Sequence, residues 1–155
     1  MTGTPGAGRD PAEQATHPVL AGYDGSASSR HALAYAAGMA RRLDGHLIVM
    51  HVIQNQIPAL GGYSLTPIAA GAGLAQENKP GWLCLELMEA ADVAGLRVEL
   101  LERDGDPARE LASTAIERNA DAIVIGAPEQ LMHRFTGSVP TWLARHAHCP
   151  VVIVP

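Results

Sequence analysis

Residues 122–155, AIVIGAPEQLMHRFTGSVPTWLARHAHCPVVIVP, open on the apolar run DAIVIG (with Asp121 before it) and close on the apolar run PVVIV. Short β-branched runs without polar alternation are strands covered on both faces, the habit of parallel sheets. SVPTWLARHAH between them reads as a helix, so the segment is a strand–helix–strand unit of a parallel α/β sheet. Gly126 and Gly137 stand at its hinges. A glycine ending a buried strand, followed by Gly-Ser at a helix start, is one way such a sheet builds an anion site. The same loop carries Glu129, so whether it holds a phosphate decides whether the chain binds nucleotides.

Upstream the same alternation repeats. PVLAGY, from Pro18, reads as a short buried strand, and Ser26 follows Asp24-Gly25 at a helix N-cap position. Leu33, Ala36, Ala37, Ala40 and Leu43 then recur at helical spacing with Arg30, Arg41 and Arg42 off the stripe, closed by Asp44-Gly45. HLIVMHVI is a second strand covered on both faces. Leu83, Leu87, Ala90, Ala91 and Ala94 mark a helix opened by Pro80 and stopped by Gly95. RVELLER alternates Arg97 and Glu99 with Val98 and Leu100, which predicts a strand with one wet face at a sheet edge. Asp106 at N-cap and Pro107 at N1 open a third helix with Leu111, Ala115 and Ile116 on one stripe.

Five strands alternating with four helices predict a doubly wound open parallel α/β sheet with helices on both faces, in a single domain over 18–155. Two segments fall outside this pattern. Residues 1–17 are rich in Gly, Pro, Thr and Ala and predict a disordered tail; 54–81 lose periodicity and predict a flexible loop insertion.

Composition narrows the function. The 155 residues carry 16 acidic and 11 basic side chains, net charge −5, with no run of Lys and Arg, which argues against nucleic acid as a partner. Apolar runs are far short of the roughly 20 residues of a membrane helix, and the N-terminus shows neither the basic start nor the apolar core of a secretory signal. A soluble, cytoplasmic protein is expected. Cys84 and Cys149 are isolated and read as reduced, buried thiols.

In doubly wound sheets ligands sit beyond the carboxyl ends of the strands, which here are the loops after Tyr23, Ile53 and Gly126. Asp24-Gly25-Ser26 is either a ligand contact or a turn feeding a helix cap, and Gly126 either a phosphate hinge or a tight turn. His146, His148 and Cys149 are metal-ligand types but lack a fourth ligand nearby in sequence. Ser28, Ser29 and His31 lie too close along one helix to aim at each other. No catalytic base or nucleophile emerges. Trp82 and Trp142 sit on helical stripes and read as packing residues.

The segments VLAGYDGSASSRHALAYAAGMARRL, LIVMHVI, GDPARELASTAIERNADAIVIGA and GSVPTWLARHAHCPVVIVP, in this order, resemble the universal stress protein family. The resemblance implies strand order 3-2-1-4-5 and a homodimer through the last strand, residues 150–154. An apolar strand at a sheet edge, with nothing in the chain to cover it, independently calls for such a partner. In ATP-binding members Gly-x2-Gly-x9-Gly is followed by Ser or Thr. Carried over by position, Asp24 matches the acidic residue at the adenosine and Val52 the residue lining adenine. Gly126 matches the first motif glycine; Gly137, Ser138 and Val139 match the last glycine and the phosphate-binding helix start. Gly22 and Tyr23, leading into Asp24, and Ile125, leading into Gly126, complete the cofactor-binding candidates.

The second motif glycine is absent: Glu129 stands there, and the loop from Gly126 to Gly137 is two residues short of the family's spacing. Glycine lets backbone N–H groups close around a phosphate, which Glu129 does not. Its carboxylate would repel a triphosphate by about 1 to 4 kcal/mol, offset in part by the Ser138 helix start, His133 and Arg134. Three readings follow: a non-catalytic regulatory dimer with a weak or vestigial ATP pocket, acting through unknown protein partners; a genuine ATP-binding stress protein, with Mg only if ATP binds; and a nucleotide-using enzyme of a related α/β class.

Overall fold

The computed structural model describes residues 17–54, 81–128 and 139–155. Of the tail expected over 1–17 and the insertion expected over 54–81, residues 1–16 and 55–80 lie outside the described residues, as do Glu129, His133, Arg134, Gly137 and Ser138; His17, by contrast, pairs with Asp121, and Gly81 is the first residue of a helix.

The elements are β1 (Pro18–Tyr23), α1 (Ala27–Arg42), β2 (His46–Ile53), α2 (Gly81–Ala90), β3 (Arg97–Asp104), α3 (Pro107–Glu117), β4 (Ala122–Gly126), α4 (Val139–His146) and β5 (Val151–Val154). The strands form one sheet in the order β3-β2-β1-β4-β5, every neighbouring pair parallel. This is the doubly wound α/β fold with the order 3-2-1-4-5. The central strands are buried on both faces, so their side chains divide between two cores. Val19, Ala21, Tyr23, Leu47 and Val49 pack with α1 and with Leu83 and Leu87 of α2. Leu20, Ile48, Met50, Ile123 and Ile125 pack with Leu111 and Ala115 of α3 and Leu143 of α4.

Both helix starts read from short polar side chains are formed. Ser26 caps α1 by accepting from Ser29 N, and Asp106 caps α3 by accepting from Arg109 N, with Pro107 inside the first turn. β3 lies at the sheet edge, and its polar face is covered by α3-side partners: Arg118 pairs with Glu99 at 2.7 Å and Arg103 with Glu117 at 3.2 Å.

Three expectations need correction, and the closure of α1 at Asp44-Gly45 gains a physical reason. α2 ends at Ala90, so Ala91 and Ala94 lie beyond it. The Asp92 carboxylate accepts from Ala94 N at 3.1 Å, an Asx turn that competes with helix continuation. Ile116 is 54% exposed and is not on the buried stripe. The stripe is Ala108, Leu111, Ala112 and Ala115, and Ile116 stands about 140° round the helix from Leu111. Cys84 is exposed and Cys149 half-buried, both free thiols. Cys84 follows Leu83, the residue α2 turns inward, and so faces out. At the end of α1 it is Asp44 (φ 51°) that adopts the left-handed conformation, whereas Gly45 is needed for space. A Cβ there would lie 2.0 Å from the His17 carbonyl oxygen.

Candidate functional site

The carboxyl ends of β1, β2 and β4 open into a cleft of about 450 Å³ on the α3/α4 side of the sheet. Of the residues singled out in the sequence, Gly22, Tyr23, Asp24, Val52, Ile125, Gly126 and Val139 all line it. Gly137 and Ser138 lie outside the described residues.

The cleft has two kinds of wall. Met50, Val52, Leu111, Ile125, Val139 and Pro140 supply an apolar side. Asp24, Ser26 and Ser29 supply a polar one. Asp24 is the single charged side chain among the described lining residues. Burial at the rim pushes its carboxyl up, but hydrogen bonds from the Ser26 hydroxyl and N–H and from Ser29 outweigh that and hold it below the usual carboxylate range. Asp24 is therefore an anion at neutral pH, placed to accept from ligand hydroxyl or amino groups.

Of the two readings left open for Asp24-Gly25-Ser26, the turn feeding a helix cap is formed, and Asp24 and Ser26 also line the cleft. Asp24 Oδ1 accepts from Ser26 N at 3.0 Å, and Gly25 takes φ 86°, a conformation suited to glycine. Ser26 Oγ accepts from Ser29 N at 3.1 Å, and Ser29 Oγ donates to Ser26 O at 2.9 Å. The groups that start α1 are the same groups that face the cleft. Gly126 also has a packing reason: a Cβ would fall 2.5 Å from Ser29 N and 2.6 Å from Ser28 Oγ. Ser28 Oγ donates to Ala127 O at 2.7 Å and fastens the first turn of α1 to the end of β4. Gly22 leaves room for Ile125 and Leu111, whose methyl groups would lie 3.1 Å from a Cβ.

Sequence reasoning missed Ser29, Met50, Gln54, Pro107, Leu111, Ala127, Pro128 and Pro140 as lining residues. The position of Met50, two before Val52 and so on the same face of β2, was the available signal. Pro107 and Leu111 come from α3, whose closeness to the end of β1 no local pattern records. Trp82 packs only in part: it is 43% exposed, with ring contacts to His51 at 4.8 Å and to Tyr23 at 6.2 Å. Trp142 does pack against the second core and stacks on His146 at 4.2 Å. His146 Nδ1 lies 2.8 Å from Trp142 O, and among the described residues no group of three or more His, Cys, Asp or Glu is placed to hold a metal.

The family model for the universal stress protein family matches residues 15–155. The chain belongs to that family. A universal stress protein of Bacillus subtilis is 29% identical over 143 residues, covering 88% of this chain and 97% of the relative. Among solved structures, a universal stress protein in complex with cAMP is 28% identical, with TM-score 0.66 over 91% of this chain and 98% of the other. The universal stress protein of Archaeoglobus fulgidus in complex with dAMP is 25% identical, with TM-score 0.58 over 91% of this chain and 99% of the other. Among the described residues, no helix is long and apolar enough to cross a membrane.

Proposed function

We propose that this universal stress protein is a non-catalytic, cytoplasmic regulatory protein that takes the nucleoside end of an adenine nucleotide into its cleft and holds a triphosphate weakly. The observation that carries the reading is the pairing of the apolar wall around Val52 and Ile125 with the ionised Asp24 and the Ser26 and Ser29 hydroxyls. A purine needs a flat apolar slot, and a ribose or an exocyclic amine needs acceptors at its edge. The cAMP and dAMP complexes of two relatives support the same ligand class.

Glu129 in place of the motif's second glycine favours ligands with little phosphate charge over ATP. The retained Gly137-Ser138 pair favours a second reading, a genuine ATP site with Mg entering only alongside the triphosphate. A homodimer through residues 150–154 belongs to the proposal. β5 is an edge strand in the chain, and Ile153 is 46% exposed.

Denaturing freshly purified protein and assaying the supernatant for released nucleotide tests the ligand class. Adenosine, AMP or a cyclic or deoxy monophosphate in near-stoichiometric amount is the expected result. Predominant ATP would transfer the weight to the second reading.

A further inference from the structure

We propose that Glu86 couples occupancy of the cleft to the seating of α2, so that α2 responds, from the opposite face of the sheet, to whether the cleft is filled. The inference deepens the adenine-nucleotide reading and rests on it.

The cleft lies on the α3/α4 side, whereas α2 packs on the other side beside α1. Glu86 does not line the cleft, yet one of its oxygens holds both elements that do. Tyr23, the last residue of β1, donates its hydroxyl to Glu86 Oε2 at 2.5 Å. Arg30, directly after Ser29 in the first turns of α1, reaches the same oxygen at 2.9 Å. The Tyr23 ring belongs to the first core, so its hydroxyl has little freedom to leave Glu86. Burial and the Glu86 hydrogen bond both push that phenol up, keeping it a donor.

α2 is otherwise lightly held. Of its ten residues only Leu83 and Leu87 are buried; half-exposed Trp82 adds ring contacts to His51 and Tyr23, and past its end Arg41 donates to Asp92 O at 2.9 Å and Ala94 O at 3.3 Å. Elements with few buried contacts are the ones that shift when a neighbour does. A ligand that engages Asp24, Ser26 or Ser29 engages side chains that also form the turn and cap at the start of α1. Engaging them moves the first turn, and with it Arg30 and the end of β1, against Glu86.

The test uses the full chain with AMP as the probe, in wild type, Glu86→Gln and Arg30→Gln. Calorimetry measures AMP binding, and hydrogen exchange measures the amides of residues 82–90 with and without saturating AMP. In wild type, AMP should change α2 exchange by about fivefold or more, the lower range of allosteric couplings. Glu86→Gln should still bind AMP while its α2 exchange no longer responds. Arg30→Gln, at a half-exposed position, should show the same uncoupling in a fold that Glu86→Gln cannot be blamed for disturbing. Wild-type protein that binds AMP with α2 exchange unchanged overturns the coupling and leaves the nucleotide reading standing. So do variants that transmit the full response. Absence of AMP binding in wild type overturns both.

Discussion

Gly126 and Ser29 meet where β4 ends against the first turn of α1, so closely that a Cβ on Gly126 would lie 2.5 Å from the Ser29 backbone nitrogen. The glycine admits the capped start of α1 to the mouth of the cleft, and through it Ser26 and Ser29 become cleft residues. Its φ is not among the positive ones, so space and not backbone strain fixes the residue. Gly126→Ala should therefore push α1 from the sheet and cost roughly 1 to 3 kcal/mol, as overpacking does. Urea denaturation measures the loss, and AMP affinity should fall with it. A variant of unchanged stability would show that α1 yields freely at this point.

Asp24→Ala separates binding from stability. Loss of a charged acceptor should weaken adenosine and AMP by roughly tenfold or more. The effect on folding should stay under roughly 1 kcal/mol, because the carboxylate is exposed and screened. The folded-state carboxyl titrates below its ordinary value, so its contribution is present above the unfolded carboxylate range and disappears as pH falls through the depressed folded value. Stability curves of the two proteins should therefore converge in acid. Equal AMP affinity in the two proteins would remove Asp24 from the binding role.

His46 gives the molecule a second pH dependence, at the other end of the sheet. It is 8% exposed, and its Nδ1 has no hydrogen-bond partner among the described residues. Burial, then the nearby Arg97, hold the imidazole below its ordinary pKa of 6.5. A depressed imidazole stabilises the fold above the unfolded value, and that stability is lost as pH falls from about 6.5 toward the folded value. Between pH 7 and 5 wild type should lose stability relative to His46→Leu, which has no proton to take up. Parallel stability curves for the two proteins over that interval would contradict the assignment.

Local rules made much of this structure legible. The all-apolar strands and the Ser26 and Asp106 caps each depend on residues a few positions apart, and each corresponds to what is formed. The errors have equally physical origins. Extending α2 to Ala94 ignored the Asp92 side chain, which ends the helical register by bonding Ala94 N. Placing Ile116 inward counted it as apolar without following its angle around α3. The site was legible where the strand ends carry it, at Gly22 to Asp24, Val52, Ile125 and Gly126. The packing reason for Gly126 was not, because its neighbours Ser28 and Ser29 come from the first crossover helix. Nor was the attachment of Glu86 to Tyr23 and Arg30, which no periodicity encodes.

The dimer proposal is open to a single substitution on β5. Ile153→Glu places a charge on the exposed apolar position of an edge strand. Sedimentation or light scattering at micromolar concentration should show a dimer for wild type and a monomer for the variant, with the fold retained by circular dichroism. A monomeric wild type, or a variant that stays dimeric, would exclude residues 150–154 as the main contact.

The central claim is that the cleft recognises the nucleoside end of an adenine nucleotide and gains little from further phosphates. Calorimetric titration of the wild-type protein with adenosine, AMP and ATP in the presence of Mg measures this directly. The account predicts saturable binding of adenosine and AMP, with ATP no tighter than AMP. Binding of ATP by a factor of ten or more over AMP, about 1.4 kcal/mol, or no binding of any of the three, would contradict it.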